Sequence, residues 1–180
     1  MKVEVAKDKA LRIINSGQVV LVSCAYEERA NIITLAWCMP LSHKPPLVGI
    51  SIAKTHLSSE LIKKTDEFII NVPGLDLLKN VVYCGTHSGR QVDKFKQTGF
   101  TPEKACRLKK TPVIKECLGH LECRLRNVRE AGDHFLFIGE VVCACAEKEL
   151  FHETWLIDRV KLIFHLGGSC FTSSGGKIEI

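Results

Sequence analysis

Apolar positions change period several times along this chain, and each change marks an element. Gln18 to Tyr26 is dense in Val and Leu and predicts a strand. A polar Glu27-Glu28-Arg29 turn leads into a second strand, Ala30 to Cys38, so the two form a hairpin. Leu47 to Ile52 is a third strand, and Phe68 to Val72 a fourth, stopped by Pro73-Gly74. His120 to Val128 alternates, with Leu121, Cys123 and Leu125 on one side and Glu122, Arg124 and Arg126 on the other. That is the period of a half-buried antiparallel strand. After an Ala131-Gly132-Asp133 turn, His134 to Ala146 is a long strand whose Gly139 marks a bulge or barrel corner. Lys161 to Leu166 is the final strand.

Helices fall between these runs. Asp8 to Ser16 is short and closed by Gly17. Thr55 or Ser58 caps a helix that carries Leu57, Leu61 and Ile62 on one face. Leu75 to Val82 is another, and Arg90 to Gln97 a third, ended by Gly99. Pro40, Pro45 and Pro46 punctuate a loop, Gly85 to Gly89 forms a second, and a mobile Ser/Gly-rich tail starts near Ser169. Six or seven strands with short interleaved helices predict one mainly β domain over residues 1–180, an antiparallel barrel with helical insertions rather than a Rossmann sheet.

Composition narrows the function classes. Apolar residues make up 46% and charged residues 25%, which excludes a disordered chain. The longest apolar runs are six or seven residues, far below the roughly 20 of a membrane helix. The start, Met1-Lys2-Val3-Glu4, has no apolar stretch of a secretory leader, so the expected compartment is the cytoplasm. Net charge is +5, but cations and acids interleave, so no nucleic-acid partner is expected. The densest basic stretch, Lys104 to Lys115, reads as a solvated loop.

Nine cysteines are many, yet no two have the Cys-x-x-Cys spacing of zinc sites and redox dithiols, and no metal is expected. Cys143 and Cys145 share a strand face, and most of the nine act as small buried apolar residues. Cys84, placed in a Gly-containing loop, is the candidate reactive thiol. Walker, Gly-x-Gly-x-x-Gly, His-Glu-x-x-His and Gly-x-Ser-x-Gly patterns are all missing, so hydrolase and kinase chemistry has no support.

Three segments combine polar, small and aromatic residues beyond the needs of a core. Asn31 to Trp37 is an apolar strand bearing Asn31 and Thr34 and ending on Ala36-Trp37, where small residues let a backbone approach a flat ligand. Ser51 to Ser58 runs from a strand end into a helix N-terminus, with Lys54 beside it, an arrangement suited to an anion. Cys84-Gly85-Thr86-His87-Ser88-Gly89-Arg90 continues to Asp93-Lys94-Phe95, where Ser88, Arg90 and Lys94 are placed to meet phosphate oxygens.

The series Ser88-Gly89-Arg90 with Asp93-Lys94-Phe95 resembles the signature of the flavin reductase-like, FMN-binding split-barrel proteins. Pro46 to Ile52, Glu67 to Pro73, Gly132 to Val141 and Leu166-Gly167-Gly168 fit the same pattern in order, over about residues 8 to 171. The flavoredoxin and ferric-reductase branch is the most similar. The resemblance implies a Greek-key split barrel, a homodimer, and one non-covalent FMN per chain. Asn31, Thr34, Ala36 and Trp37 would then line the isoalloxazine, with Ser51 and Ile52 against the ring. Lys54 and Ser58 would lie toward the ribityl phosphate, held by Ser88, Gly89, Arg90 and Lys94. Asn71, Cys84 and Gly85 would form walls, and His134 would be the catalytic residue near flavin or nicotinamide. Two positions depart from the pattern: Ser51 stands where ferric-reductase relatives carry Cys, and Phe171 where relatives often have Tyr. The implied activity is NAD(P)H-driven reduction of free flavin, a ferric chelate or a similar small acceptor. Its rival is an FMN electron carrier reduced by a redox protein partner.

Overall fold

The computed structural model describes residues 1–15 and 17–178. An exposed 3-10 helix, Lys7–Ile13, opens the chain. It replaces the helix expected over 8–16, whose last residue lies outside the described residues, and Gly17 starts a strand instead of capping it. The strands follow as β1 (Gly17–Gln18), β2 (Val20–Tyr26), β3 (Arg29–Leu35), β4 (Cys38–His43) and β5 (Pro46–Ala53). Helix α1 (Leu57–Thr65) precedes β6 (Glu67–Val72). A 3-10 turn at Leu75–Leu77 runs into α2 (Leu78–Thr86), and α3 (Lys94–Thr98) follows. Then come β7 (Pro102–Glu103), β8 (Val113–Ile114), β9 (Gly119–Ala131), β10 (His134–Ala146), β11 (Ile163–Gly167) and β12 (Cys170–Ser173).

Seven strands form one antiparallel sheet in the order β3-β2-β6-β9-β10-β5-β4, and β1-β11-β12 form a small second sheet. The architecture is mainly β, antiparallel and interrupted by helices, as expected, and the sheets are not closed into a full cylinder. Strand β2 separates the two larger cores. Val20, Val22 and Cys24 pack with Ile50, Ile52, Phe68 and Phe137 under α1, while Val19, Leu21 and Ile32 pack with Val81, Phe95, Ile114 and Ile163 on the other side. Both faces are covered, so its sequence is a continuous apolar run rather than an alternation.

Both expected hairpins form. Cys24 pairs with Asn31, and His134 with Ala131 across a turn whose Gly132 has φ +61°. A ladder irregularity falls between Ile138 and Gly139, and a Cβ at Gly139 would come within 2.4 Å of Phe68 Cζ. The expected bulge is therefore a place where an aromatic ring crosses the strand closely.

Several expectations need correction. The proline-marked loop after residue 38 is the strand β4. Pro40 is tolerated because β4 is the edge of its sheet and its ladder is irregular between Pro40 and Ser42. The second strand ends at Leu35, because the chain bends at Ala36-Trp37 before β4. Helix α1 has no side-chain cap: its N-cap is His56, and Ser58 lies buried within the first turn. Gly85 belongs to α2, not to a loop. Lys161–Leu166 is not the last strand, and the tail expected to be mobile contributes β12, which returns on β11 through Gly167-Gly168. Glu122, on the polar side of β9, is fully buried because residues 106–108 fold over that face, while Arg124 and Arg126 remain exposed.

Candidate functional site

A cavity of about 690 Å³ opens where the two sheets meet α1 and α2. The end of β3 and the following bend supply Thr34, Leu35, Ala36 and Trp37; β5 supplies Ser51 and Ala53; α2 supplies Val81, Val82 and Gly85. His134 begins β10, and His165 and Phe171 come from β11 and β12. Backbone pairing sets these positions. Ser51 N donates to Trp37 O at 2.9 Å, Lys54 N to Asp133 O at 3.0 Å, and His134 sits opposite Ala53. Thr34 Oγ1 donates to Val81 O at 2.6 Å, which holds α2 against β3. The volume lies within the range of small-molecule sites, and the lining is mostly apolar with a few convergent polar groups.

One wall is a polar and aromatic chain. His134 and Trp37 have ring centroids 5.0 Å apart. Trp37 Nε1 donates to Asn15 Oδ1 at 2.6 Å, Asn15 Nδ2 lies 3.3 Å from His165 Nδ1, and the His165 ring lies 5.0 Å from Phe171. His134 Nδ1 is 2.7 Å from Asp133 Oδ1. A carboxylate accepts, so Nδ1 carries a proton, and in the neutral ring Nε2 is the acceptor. His56, which also lines the cavity, is held below the ordinary histidine range by burial and then by the positive charges of Lys94 and of protonated His134.

A second polar cluster lies beside the N-terminus of α1. Asn31 Nδ2 donates to Ser58 Oγ at 2.9 Å, while Asn31 Oδ1 is buried without a partner. A Cβ at Gly89 would collide with the Asn31 amide, so only glycine lets the loop approach there. Arg29 Nη2 donates to Gly89 O at 2.9 Å, Ser88 Oγ accepts from Arg90 N, and Arg90 pairs with Glu60 at 3.0 Å. Lys54 is bridged to Glu130 at 3.3 Å.

The structure brings Thr34, Ala36, Trp37, Ser51, Gly85 and His134 together around the cavity, and gathers Asn31, Ser58, Ser88, Gly89 and Arg90 at the α1 end. Five sequence candidates stand elsewhere, among them Lys54, which is outside the cavity lining and pairs with Glu130. The Ile52 side chain belongs to the main core. Asn71 is a buried tie: its Nδ2 donates to Leu21 O and Ser23 Oγ, and its Oδ1 accepts from Ile114 N. Cys84 is buried in the second core, and burial pushes its thiol up to about 11, so it is not the reactive thiol its supposed loop suggested. Lys94 is buried, with Nζ donating to Ile32 O at 2.8 Å and Cys84 O at 2.6 Å. That ammonium fastens α3 to β3 and to the end of α2 rather than pointing to an anion. Lys94→Met should therefore lower stability by about 2–3 kcal/mol in urea denaturation, through two lost charged hydrogen bonds.

Asn15, His56, His165 and Phe171 also line the cavity, beyond the residues expected from the sequence. A signal existed for two of them: Ile163–Leu166 and Cys170–Thr172 flank Gly167-Gly168, a turn pair between two short β-type runs.

The family model described as "Flavin reductase like domain" matches residues 12–169. The chain belongs to the flavin reductase-like family. An uncharacterized protein of Pyrococcus abyssi is 33% identical over 167 residues, spanning 93% of this chain and 95% of that one. Among solved structures, the flavoredoxin of Methanosarcina acetivorans superposes with a TM-score of 0.88 at 26% identity, covering 100% of this chain and 95% of its own. An FMN-binding protein from Thermus thermophilus, solved with bound p-hydroxybenzaldehyde, gives 0.86 at 25% identity, with 100% and 99% covered. Within the family, the split-barrel fold accounts for the curled seven-stranded sheet flanked by α1 and α2.

Proposed function

We propose that the protein holds one FMN without covalent attachment and uses it to pass electrons from NAD(P)H to a small acceptor, such as free flavin or a ferric chelate. One observation carries this reading: a cavity walled by Trp37, Ala36 and Gly85 runs by way of His56 to a helix N-terminus without a side-chain cap, beside Arg90 and the unpartnered Asn31 amide oxygen. A flat apolar ring system fits the first part; in the second, the helix N-terminus and Arg90 suit an anionic phosphate, while the Asn31 oxygen, an acceptor, suits a hydroxyl of the polar tail. Family membership and the similarity to an FMN-binding protein support the same ligand.

FMN, when bound, supplies two-electron acceptance with release of electrons singly or in pairs. The chain supplies everything else. Trp37, Thr34, Ala36, Ser51 and Gly85 would seat the ring, and the apolar α2 face would exclude water. Arg90, with the N–H groups at the start of α1, would take the phosphate in competition with Glu60. His134 Nε2 would accept a hydrogen bond or hold a proton at the ring edge, its orientation set by Asp133. Exposed Met39 and Leu41 on edge strand β4, next to Trp37, support a second copy of the chain as partner. Nine free cysteines suit a reducing cytoplasm.

The test is to add FMN, desalt, and titrate anaerobically with NADH and NADPH. Retained flavin bands that bleach with one nucleotide support the reading. In that case His134→Ala should keep the flavin but slow its reduction by about 10²-fold, as for a lost proton-handling group. The similarity to a flavoredoxin favours a second reading, an electron carrier, which bleaching only by dithionite or a reduced ferredoxin would establish. A protein that never retains flavin would overturn both.

A further inference from the structure

Three sulfurs converge at the other end of β10. Cys143 and Cys145 leave the same face of the strand, and their sulfurs are 3.9 Å apart. Cys106, on the loop between β7 and β8, stands 4.0 Å from the Cys145 sulfur, and all three sulfurs lie within 4.8 Å of one another. Across the β9–β10 ladder, His120 pairs with Cys145 and Glu122 with Cys143, so these side chains share that face. A His120 ring nitrogen, a Glu122 oxygen and the Cys106 sulfur form a second set within 4.8 Å. Among the described residues His120 Nε2 is buried without a partner at hydrogen-bond distance, with Glu122 Oε1 standing 3.7 Å away, an unfavourable state unless something else meets it.

Glu122 is already committed. Its carboxylate accepts the backbone N–H of Cys106 at 2.7 Å and those of Arg107 and Leu108 at 2.8 Å each. These bonds fix the loop and aim Cys106 at the strand pair. Tetrahedral zinc, with bonds to sulfur of about 2.3 Å, sets its sulfurs about 3.8 Å apart. The Cys143–Cys145 and Cys106–Cys145 sulfur spacings, 3.9 and 4.0 Å, match that edge closely.

We propose that the sulfurs of Cys106, Cys143 and Cys145 form a structural Zn²⁺ site, with His120, which shares only Cys106 as a near neighbour in the present arrangement, turning in as the fourth ligand, and with Glu122 as the outer carboxylate that positions the loop. Binding replaces three thiol protons, which leave to solvent, and no bond to zinc remains open for a substrate. The Cys-x-x-Cys rule missed it because the ligands come from two paired strands and a loop, and Cys143-Ala144-Cys145 uses the two-residue period of a strand. Along β10 the site lies roughly 30 Å from His134, at about 3.3 Å per residue. Its role is to clamp the loop, not to exchange electrons with the cavity.

The test uses reduced full-length protein incubated with Zn²⁺ and then desalted over a chelating resin. Elemental analysis should find one zinc per chain. Co²⁺ in its place should give the strong ligand-field bands of a tetrahedral thiolate site, at wavelengths beyond flavin absorption. Cys106→Ser lies on an exposed loop and should fold, yet lower zinc affinity more than the 10–100-fold typical of losing an outer-shell group. Cys143→Ser should do the same, and Cys170→Ser should not. Failure to retain metal, retention unchanged in both Cys106→Ser and Cys143→Ser, or octahedral cobalt spectra would each overturn the site.

Discussion

Glu122→Leu should destabilise the fold by about 3–5 kcal/mol, measured as a lower urea midpoint with chelator present so that no metal contributes. The magnitude follows from what the carboxylate does. It is fully buried and takes three backbone N–H groups, from Cys106, Arg107 and Leu108. Leucine fills the space but accepts none of them, so either three donors stay buried unpaired or the loop leaves the sheet. In the second case the small core of Ile69, Leu108 and Val113 opens to water. Glu122→Gln is expected to fall between. Two of the donors share Oε2 and the third uses Oε1, so an amide can keep one set while its NH₂ faces the other. Equal stability of the wild-type and leucine proteins would refute the latch.

Gly85→Leu should abolish flavin retention, by about 10²-fold or more in affinity, while leaving the protein folded. Position 85 lies in the last turn of α2 and faces the cavity, where a Cβ would stand 3.3 Å from Thr34 Cβ. That contact is tight enough to require a shift of a few tenths of an ångström, which a side chain at a cavity edge can make. Removing a helical glycine favours the helix by about 0.5–1 kcal/mol, which offsets the crowding. The remaining leucine atoms project into the space a flat ring would fill. Gly85→Ala should bind more weakly than wild type but detectably. Thermal denaturation separates the effects: an unchanged midpoint with lost binding locates the ring beside α2, whereas unchanged binding in Gly85→Leu would remove that wall from the site.

The elements readable in the sequence are those whose pattern is set by one neighbour. The β9–β10 hairpin shows as alternation around Ala131-Gly132-Asp133, and α3 shows through the Gly99 stop. Strand β4 was hidden because Pro40 marks a loop everywhere except at a sheet edge. The last turn of α2 was hidden because Gly85 marks a loop unless close packing against Thr34 makes a small residue necessary. Lys94 misled for a different reason: beside Ser88 and Arg90 it looks like an anion ligand, and only the fold shows its ammonium capping two carbonyls. Trp37, Thr34 and His134 were legible as cavity residues because polar and aromatic side chains stand out at the ends of apolar strands, although Thr34 also ties α2 to β3. His165 and Phe171 were not, since a stretch rich in Ser and Gly hid a hairpin.

That hairpin has a kinetic consequence. β11 and β12 carry His165 and Phe171 to the cavity, yet among the described residues their ladder beyond each other is the two-residue pairing with β1, at Gly17 and Gln18, continued by Val19 N donating to Ile163 O at 2.8 Å. Among the described residues the seven-stranded sheet shares no ladder with them. Ile163 anchors the hairpin in the second core, but opening the part beyond it costs less than global unfolding. The hairpin is therefore expected to act as a latch on ligand residence: amide protons of β11 and β12 should exchange faster than those of β9, and ligand should leave on that faster clock while the barrel stays folded.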